Sequence, residues 1–133
     1  MDRSAVQAWL DRYIAAWRSY DEGEIRSLFT SDARYRYHPY DPESDTLVGA
    51  DAIAADWTTA QNRDAAGTYD AHYEPYAIDG DRAVAIGWSR YFTDASQSAV
   101  ARIYDNVYLL RFDDEGRCAE FTELFMKRPD AAA

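Results

Sequence analysis

Residues 68–92 read TYDAHYEPYAIDGDRAVAIGWSRYF, two aromatic and β-branched runs joined at Asp79-Gly80-Asp81. An aspartate–glycine pair between two such runs is a hairpin signal. Two more runs follow at similar spacing, ARIYDNVYLLRF (101–112) and RCAEFTELFM (117–126), separated by the turn segments DASQS and DDEG. The second half of the chain therefore reads as a meander of long antiparallel strands.

Upstream the period changes from two to that of a helix. Ser4 is placed to cap a helix running to about Tyr20. On it Val6, Trp9, Leu10, Tyr13, Ile14, Trp17 and Tyr20 form one wide apolar stripe. Asp21 is placed to cap a short second helix bearing Ile25, Leu28 and Phe29. ARYRYHP (33–39) alternates and stops at Pro39, as a short strand does. ADAIAADWTTA (50–60) sets Ile53 and Trp57 four apart on a third helix. Helices followed by a meander predict an α+β fold with the helices on one face of the sheet. A strongly curved sheet wrapped over them, mixed but mostly antiparallel, would leave a pocket at its open end.

Composition limits what such a pocket serves. A chain of 133 residues, 47% hydrophobic and 15% aromatic, reads as one domain over 1–133, with a core from about 4 to 128 and a tail that frays at 129–133. The net charge of −10 argues against a nucleic-acid partner, which needs a basic face. Cys118 is the single cysteine, and His38 and His72 have no ligand spacing, so neither a disulfide nor a metal site is indicated. No glycine-rich phosphate loop is present, and no cofactor is expected. The start lacks the apolar run of a signal peptide and no stretch approaches a membrane span, so a cytoplasmic protein without a membrane partner is expected.

Alternation proposes the faces. On the fourth strand Val84, Ile86, Trp88, Arg90 and Phe92 share one side, taken here as the pocket side; Ala83, Ala85, Gly87 and Ser89 share the other. On the last strand Phe121, Glu123 and Phe125 align. Each strand thus sets one charge amid aromatics, and the cost of burying either alone predicts that Arg90 and Glu123 meet in the pocket. Asn106 and Tyr108 share a side with Leu110 and Phe112. Tyr35 and Tyr37 point in together, with Arg34 and Arg36 outward. His72 sits with Asp70 and Glu74 on the outer face. There Ile103, Val107 and Leu109 would stay wet in a monomer, which predicts a two-fold homodimer.

The pieces RYIAAW (12–17), DEGEIRSLF (21–29), SDARYRYHP (31–39), LVGADAI (47–53) and the hairpins ending LLRFDDEGRCAEFTELFM (109–126) together resemble the nuclear transport factor 2-like superfamily, in particular its SnoaL-like branch. The resemblance implies a cone-shaped α+β barrel, usually dimeric through its outer sheet face. The superfamily includes ketosteroid isomerases, limonene-epoxide hydrolases, scytalone dehydratases, polyketide cyclases and members without chemistry. Against the epoxide hydrolases, Arg90 falls on the catalytic arginine, Glu123 on a catalytic carboxylate and Tyr35 on a water-holding tyrosine. The second carboxylate of that pattern is Phe92 here, and its asparagine is Tyr37. Against the isomerases, Tyr13 falls on the oxyanion-hole tyrosine, the base position on Tyr37 or His38, and the protonated aspartate on Tyr108. The reading that follows is a cofactor-independent acid–base enzyme (an isomerase, dehydratase, cyclase or epoxide-opening type) acting on a hydrophobic small molecule. Its catalytic set is Glu123, Arg90 and Tyr13. Its binding wall is Tyr35, Tyr37, His38, Trp57, Trp88, Asn106, Tyr108, Phe121 and Phe125. The alternative is a ligand-binding or dimeric interaction module with the same pocket and no turnover.

Overall fold

The computed structural model describes residues 1–130. The terminal residues of the expected frayed tail, 131–133, lie outside that range. Helix α1 (Arg3–Ser19) starts two residues before the sequence cap: the Asp2 carboxylate accepts from the Ala5 N–H at 2.8 Å, and Ser4 lies inside the first turn. Tyr20 ends α1 in the left-handed region, with φ of 52°. Asp21 caps α2 (Glu22–Ser27) as its type and position suggest, accepting from the Glu24 N–H at 2.9 Å.

Strand β1 (Phe29–Arg36), the two-residue β2 (Leu47–Val48) and helix α3 (Ala50–Trp57) complete the first half. The meander is β3 (Tyr69–Asp79), β4 (Arg82–Phe92), β5 (Val100–Phe112) and β6 (Cys118–Lys127). The six strands form one sheet in the order β2-β1-β6-β5-β4-β3. Only β1 and β6 run parallel, so the first long strand docks beside the last and curls the sheet over the helices.

The α1 stripe fills the concave side. Val6, Trp9, Leu10, Tyr13 and Ile14 are buried, and face Tyr73, Ala83, Ala85, Tyr108, Leu110, Phe112 and Phe121 from the sheet. The Trp9 indole N–H donates to the Leu28 carbonyl at 3.0 Å, which fixes α1 to the end of α2 while its ring packs in the core. Each such ring contributes on the order of 1.5–3 kcal/mol by leaving water.

Strand β4 corrects the sequence reading. Ala83, Ala85 and Ser89 are the buried, concave residues, while Trp88 and Arg90 stand on the convex face. Strand β4 pairs with β5 without a shift from Arg82 to Tyr91, which sets Trp88 and Arg90 opposite Asp105 and Ile103 on the convex face. The irregularity is in its other neighbour: Tyr76 bulges out of β3, so Pro75 pairs with Ala85 while Ala77 pairs with Val84, and Asp70, His72 and Glu74 come to share the outer face with Arg90, Trp88 and Ile86. Small side chains on the concave side of β4 are also what the space allows. At Gly87 an added Cβ would collide with the His72 carbonyl oxygen and lie 2.5 Å from the Tyr73 ring. Gly87→Ala is accordingly expected to destabilise the protein by roughly 1–3 kcal/mol or more, read by urea denaturation. A cost below about 0.5 kcal/mol would show that this packing is not tight.

Candidate functional site

A cavity of about 220 Å³ lies between the C-terminal half of α1, the 58–68 connection and the concave faces of β3 to β6. Helix α1 contributes Tyr13 and Trp17; Tyr37 follows β1; Gln61, Asn62 and Asp64 come from the connection. The sheet adds Tyr69, Tyr73, Ser89, Tyr91, Arg102, Tyr108 and Glu123. The sequence suggested a hydrophobic pocket; the lining is instead dominated by hydroxyl, amide and carboxyl groups. A volume below the usual range for drug-sized ligands limits the occupant to a small molecule.

Several of these groups are held in place. The Tyr37 hydroxyl donates to Asp56 Oδ2 at 2.7 Å, and the Asn62 amide donates to the Asp56 carbonyl at 2.9 Å. The Tyr20 hydroxyl accepts from the Asp64 N–H at 2.9 Å and donates to Asp64 Oδ2 at 3.2 Å, which ties the connection to the end of α1. Asn106 lies beneath the lining and donates to Ser89 Oγ at 3.1 Å and to the Tyr73 hydroxyl at 3.4 Å. It is a satisfied member of a network rather than a free donor.

Glu123 is the chemically exceptional residue. Burial pushes its carboxyl up to about 7, and no ion pair or hydrogen bond to it exists among the described residues. Burial also raises the Tyr13 and Tyr108 hydroxyls, and the Glu123 charge pushes both further in the same direction. These hydroxyls therefore stay protonated and available as donors throughout the neutral range. A carboxyl that titrates near neutrality beside fixed hydroxyl donors can move a proton and stabilise the negative oxygen that results.

The other residues proposed from sequence divide into three groups. Tyr13, Tyr37 and Tyr108 line the cavity with Glu123. Tyr35, Phe121 and Trp57 are fully buried behind it. Tyr35 stacks on Phe121 at 4.4 Å and Trp57 on Trp17 at 4.3 Å. The Tyr35 hydroxyl and Trp57 Nε1 are without hydrogen-bond partners among the described residues. Phe125 is 46% exposed at the rim, and His38 lies outside the lining, with Nδ1 3.1 Å from Asp41 Oδ1 and its ring stacked on Tyr40.

Arg90 and Trp88 are on the wrong side of the sheet for the role proposed. Arg90 donates to Asp70 Oδ2 at 2.7 Å, its guanidinium lying 4.6 Å from the Trp88 ring, and Asp70 also takes Arg18 at 2.9 Å. The Arg90–Glu123 pair does not form, because Arg90 lies opposite Ile103 on the convex face while Glu123 lies opposite the buried Tyr108 on the concave one. Sequence reasoning missed Tyr69, Tyr73, Tyr91, Asp64 and Arg102. The first two carried a signal: with Asp70, His72 and Glu74 outward, alternation turns Tyr69 and Tyr73 inward.

Comparison with known proteins agrees with this architecture. A family model described as SnoaL-like domain matches residues 10–121. Among solved structures, an NTF2-like protein with a cystatin-like fold from Novosphingobium aromaticivorans is 24% identical, with a TM-score of 0.67, covering 99% of this chain and 86% of that one. An NTF-2 like protein from Burkholderia xenovorans LB400 is 15% identical, with a TM-score of 0.66 and coverage of 96% and 88%. A protein with a cystatin-like fold from Methylobium petroleophilum PM1 is 19% identical, with a TM-score of 0.63 and coverage of 100% and 83%. At these identities the likeness is one of fold. No curated protein matches the chain.

The raised Glu123 carboxyl has a thermodynamic signature. Its folded-state value of about 7 lies above the ordinary 4.5, so the neutral form is the one the fold favours. That contribution is fully present below about pH 4.5 and is lost as pH rises through 7. The loss amounts to up to roughly 3 kcal/mol. Glu123→Gln removes the titration and keeps the shape. In urea denaturation it should match the wild type near pH 5 and be the more stable protein at pH 8. A difference that stays constant between those two pH values would place Glu123 in water.

Proposed function

The chain belongs to the SnoaL-like domain family, which includes cofactor-independent isomerases and cyclases, and on that premise we propose that it is a cofactor-independent acid–base enzyme. The observation that carries the reading is the unpaired Glu123 carboxyl, raised to about 7 inside a ring of protonated tyrosines. As carboxylate, Glu123 removes a proton from a carbon next to a carbonyl group. The C–H electron pair moves into the new C=C bond, and the carbonyl electrons move onto oxygen. The Tyr13 and Tyr108 hydroxyls donate to that oxygen, and Glu123 returns the proton to the same carbon or, where a C=C bond lies beyond it and the enolate is conjugated, to the far end of that bond. The substrate class is a small, oxygen-bearing molecule rather than a purely hydrophobic one. Tyr35 supports this wall from behind, and Arg90 has no part in the chemistry.

We also propose a two-fold homodimer through the convex face. Leu109 and Met126 there are 45% and 75% exposed, beside Val107, Ile86 and Trp88. Sedimentation at micromolar concentration should give a dimer; a monomer sinks the assignment.

The activity is tested by NMR in D₂O, following exchange of the hydrogens that flank the carbonyl in a panel of small neutral and charged ketones. Exchange should rise with pH to a plateau above about 7 and disappear in Glu123→Gln. Tyr13→Phe keeps the ring and should lower the rate by about 10²–10³-fold. If no ketone exchanges in a Glu123-dependent way, the acid–base reading fails. Ligands that bind without exchange would then make the site a binding module.

A further inference from the structure

A second space, of about 190 Å³, adjoins the first. The two share Ser89, Tyr91, Arg102 and Glu123 as a common wall, and the second opens past Phe125 at the rim. Glu123 therefore sits where the two join, and a molecule reacting there extends into the outer space. Arg102 is the one cationic side chain among the described residues that line either space.

The state of that arginine points to a ligand. Its guanidinium lies 4.1 Å from the centre of the Tyr91 ring, and such stacking fixes the plane of the head group. Its nearest carboxylate, Asp64, stands 3.9 Å away, too far for a hydrogen bond. None of its N–H groups makes a hydrogen bond among the described residues. Arg128, in contrast, spends its fork on Asp105, through Nε and a terminal nitrogen each at 2.8 Å. A flat, oriented fork of unused donors beside a reaction site matches one chemical group, a planar carboxylate taken through two parallel hydrogen bonds. A more highly charged anion such as a phosphate would meet one cation against two acidic neighbours, Asp64 and Glu123. The chain's net charge of −10 offers no general attraction for anions, so a local cation has to hold one.

We infer that the substrate is a small keto acid whose carboxylate is gripped by Arg102 while the carbon next to its carbonyl lies against Glu123. This rests on the acid–base reading for the role of Glu123, but its own test is one of binding. The probes are 4-oxopentanoate and its methyl ester, identical except for the charge, with affinities for the full chain measured by calorimetry and saturation-transfer NMR at pH 7.5. The acid should bind at least about ten-fold more tightly than the ester. Arg102→Gln should abolish the preference, so that acid and ester bind alike. Arg102→Lys, which keeps the charge and loses the fork, should retain only part of it. Arg111→Gln, an arginine outside both spaces, should retain the preference. Circular dichroism confirms the fold of each variant. The inference is overturned if wild type binds acid and ester equally or prefers the ester, if neither binds at millimolar concentration, or if the preference survives Arg102→Gln. Binding of the acid through Arg102 with no Glu123-dependent exchange would instead retire the acid–base reading and keep the carboxylate site.

Discussion

The ring of Tyr13 meets six other aromatic rings, those of Phe121 at 5.4 Å, Trp9, Trp57 and Tyr108 at 5.5 Å, Tyr73 at 6.0 Å and Trp17 at 6.5 Å. These come from α1, α3 and three different strands, so the position of Tyr13 joins the helical layer to the curved sheet from its β3 edge to β6. Edge-to-face and offset contacts of this kind add about 0.5–1.5 kcal/mol each beyond the area they bury. The same residue turns its hydroxyl into the cavity. Core and site are therefore one object, and the volume that α1 takes up decides what the sheet can present. Tyrosines fit where β3 and β5 pass the helix; on β4, between them, the concave positions from Ala83 to Ser89 take only alanine, glycine and serine, and a tyrosine returns at Tyr91.

A consequence of building a site inside a core is that polar groups are left short of partners. The Tyr35 hydroxyl and Trp57 Nε1 are buried without any among the described residues, and an orphaned group costs about 1–3 kcal/mol. Glu123 is the same situation in a titratable group, and it responds by holding its proton. None of the three favours stability, and all three belong to the walls or backing of one cavity. Against them stand the satisfied groups of the same region, Asn106, Tyr37 and Tyr20, which fix the lining where movement would blur it. The division is between groups that fix the lining and groups left unpaired, and of the three unpaired ones Glu123 alone lines the cavity.

How much of this was legible depended on whether the signal was local. The hairpin turns, the α2 cap at Asp21, the α1 stripe and the inward Tyr35 and Tyr37 all rest on short-range periodicity or on one side chain's chemistry, and each is present in the structure. The cap of α1 moved from Ser4 to Asp2 because both are competent and only the packing of the helix chooses. The facing of β4 was not legible by alternation alone. A straight hairpin from the 79–82 turn would pair Glu74 with Gly87 and His72 with Ser89, so that Asp70, His72 and Glu74, read as outward, imply Trp88 and Arg90 inward. The bulge at Tyr76 shifts that register by one. Pro75 is the mark the bulge leaves in the sequence, since proline inside a strand belongs to an edge or an irregularity. The residues of the 58–68 connection, Asp64 among them, have no period to read at all.

The facing of β4 reaches the chemistry. Had Arg90 faced inward against Glu123, a cation within a few ångströms would have lowered the carboxyl by roughly 1–3 pH units and offset much of what burial raises. Glu123 would then be ionised at all physiological pH, neutralised in an ion pair, and a weak base. Facing outward on β4, Arg90 closes its circuit on the convex side through Asp70, which the bulge turns to that face, to Arg18, and so ties the edge strand β3 to the end of α1. That cation serves the fold on one face of the sheet, and the carboxyl on the other has no ion pair among the described residues. A general base needs a proton affinity near the working pH, and Glu123 reaches it through burial without such a partner.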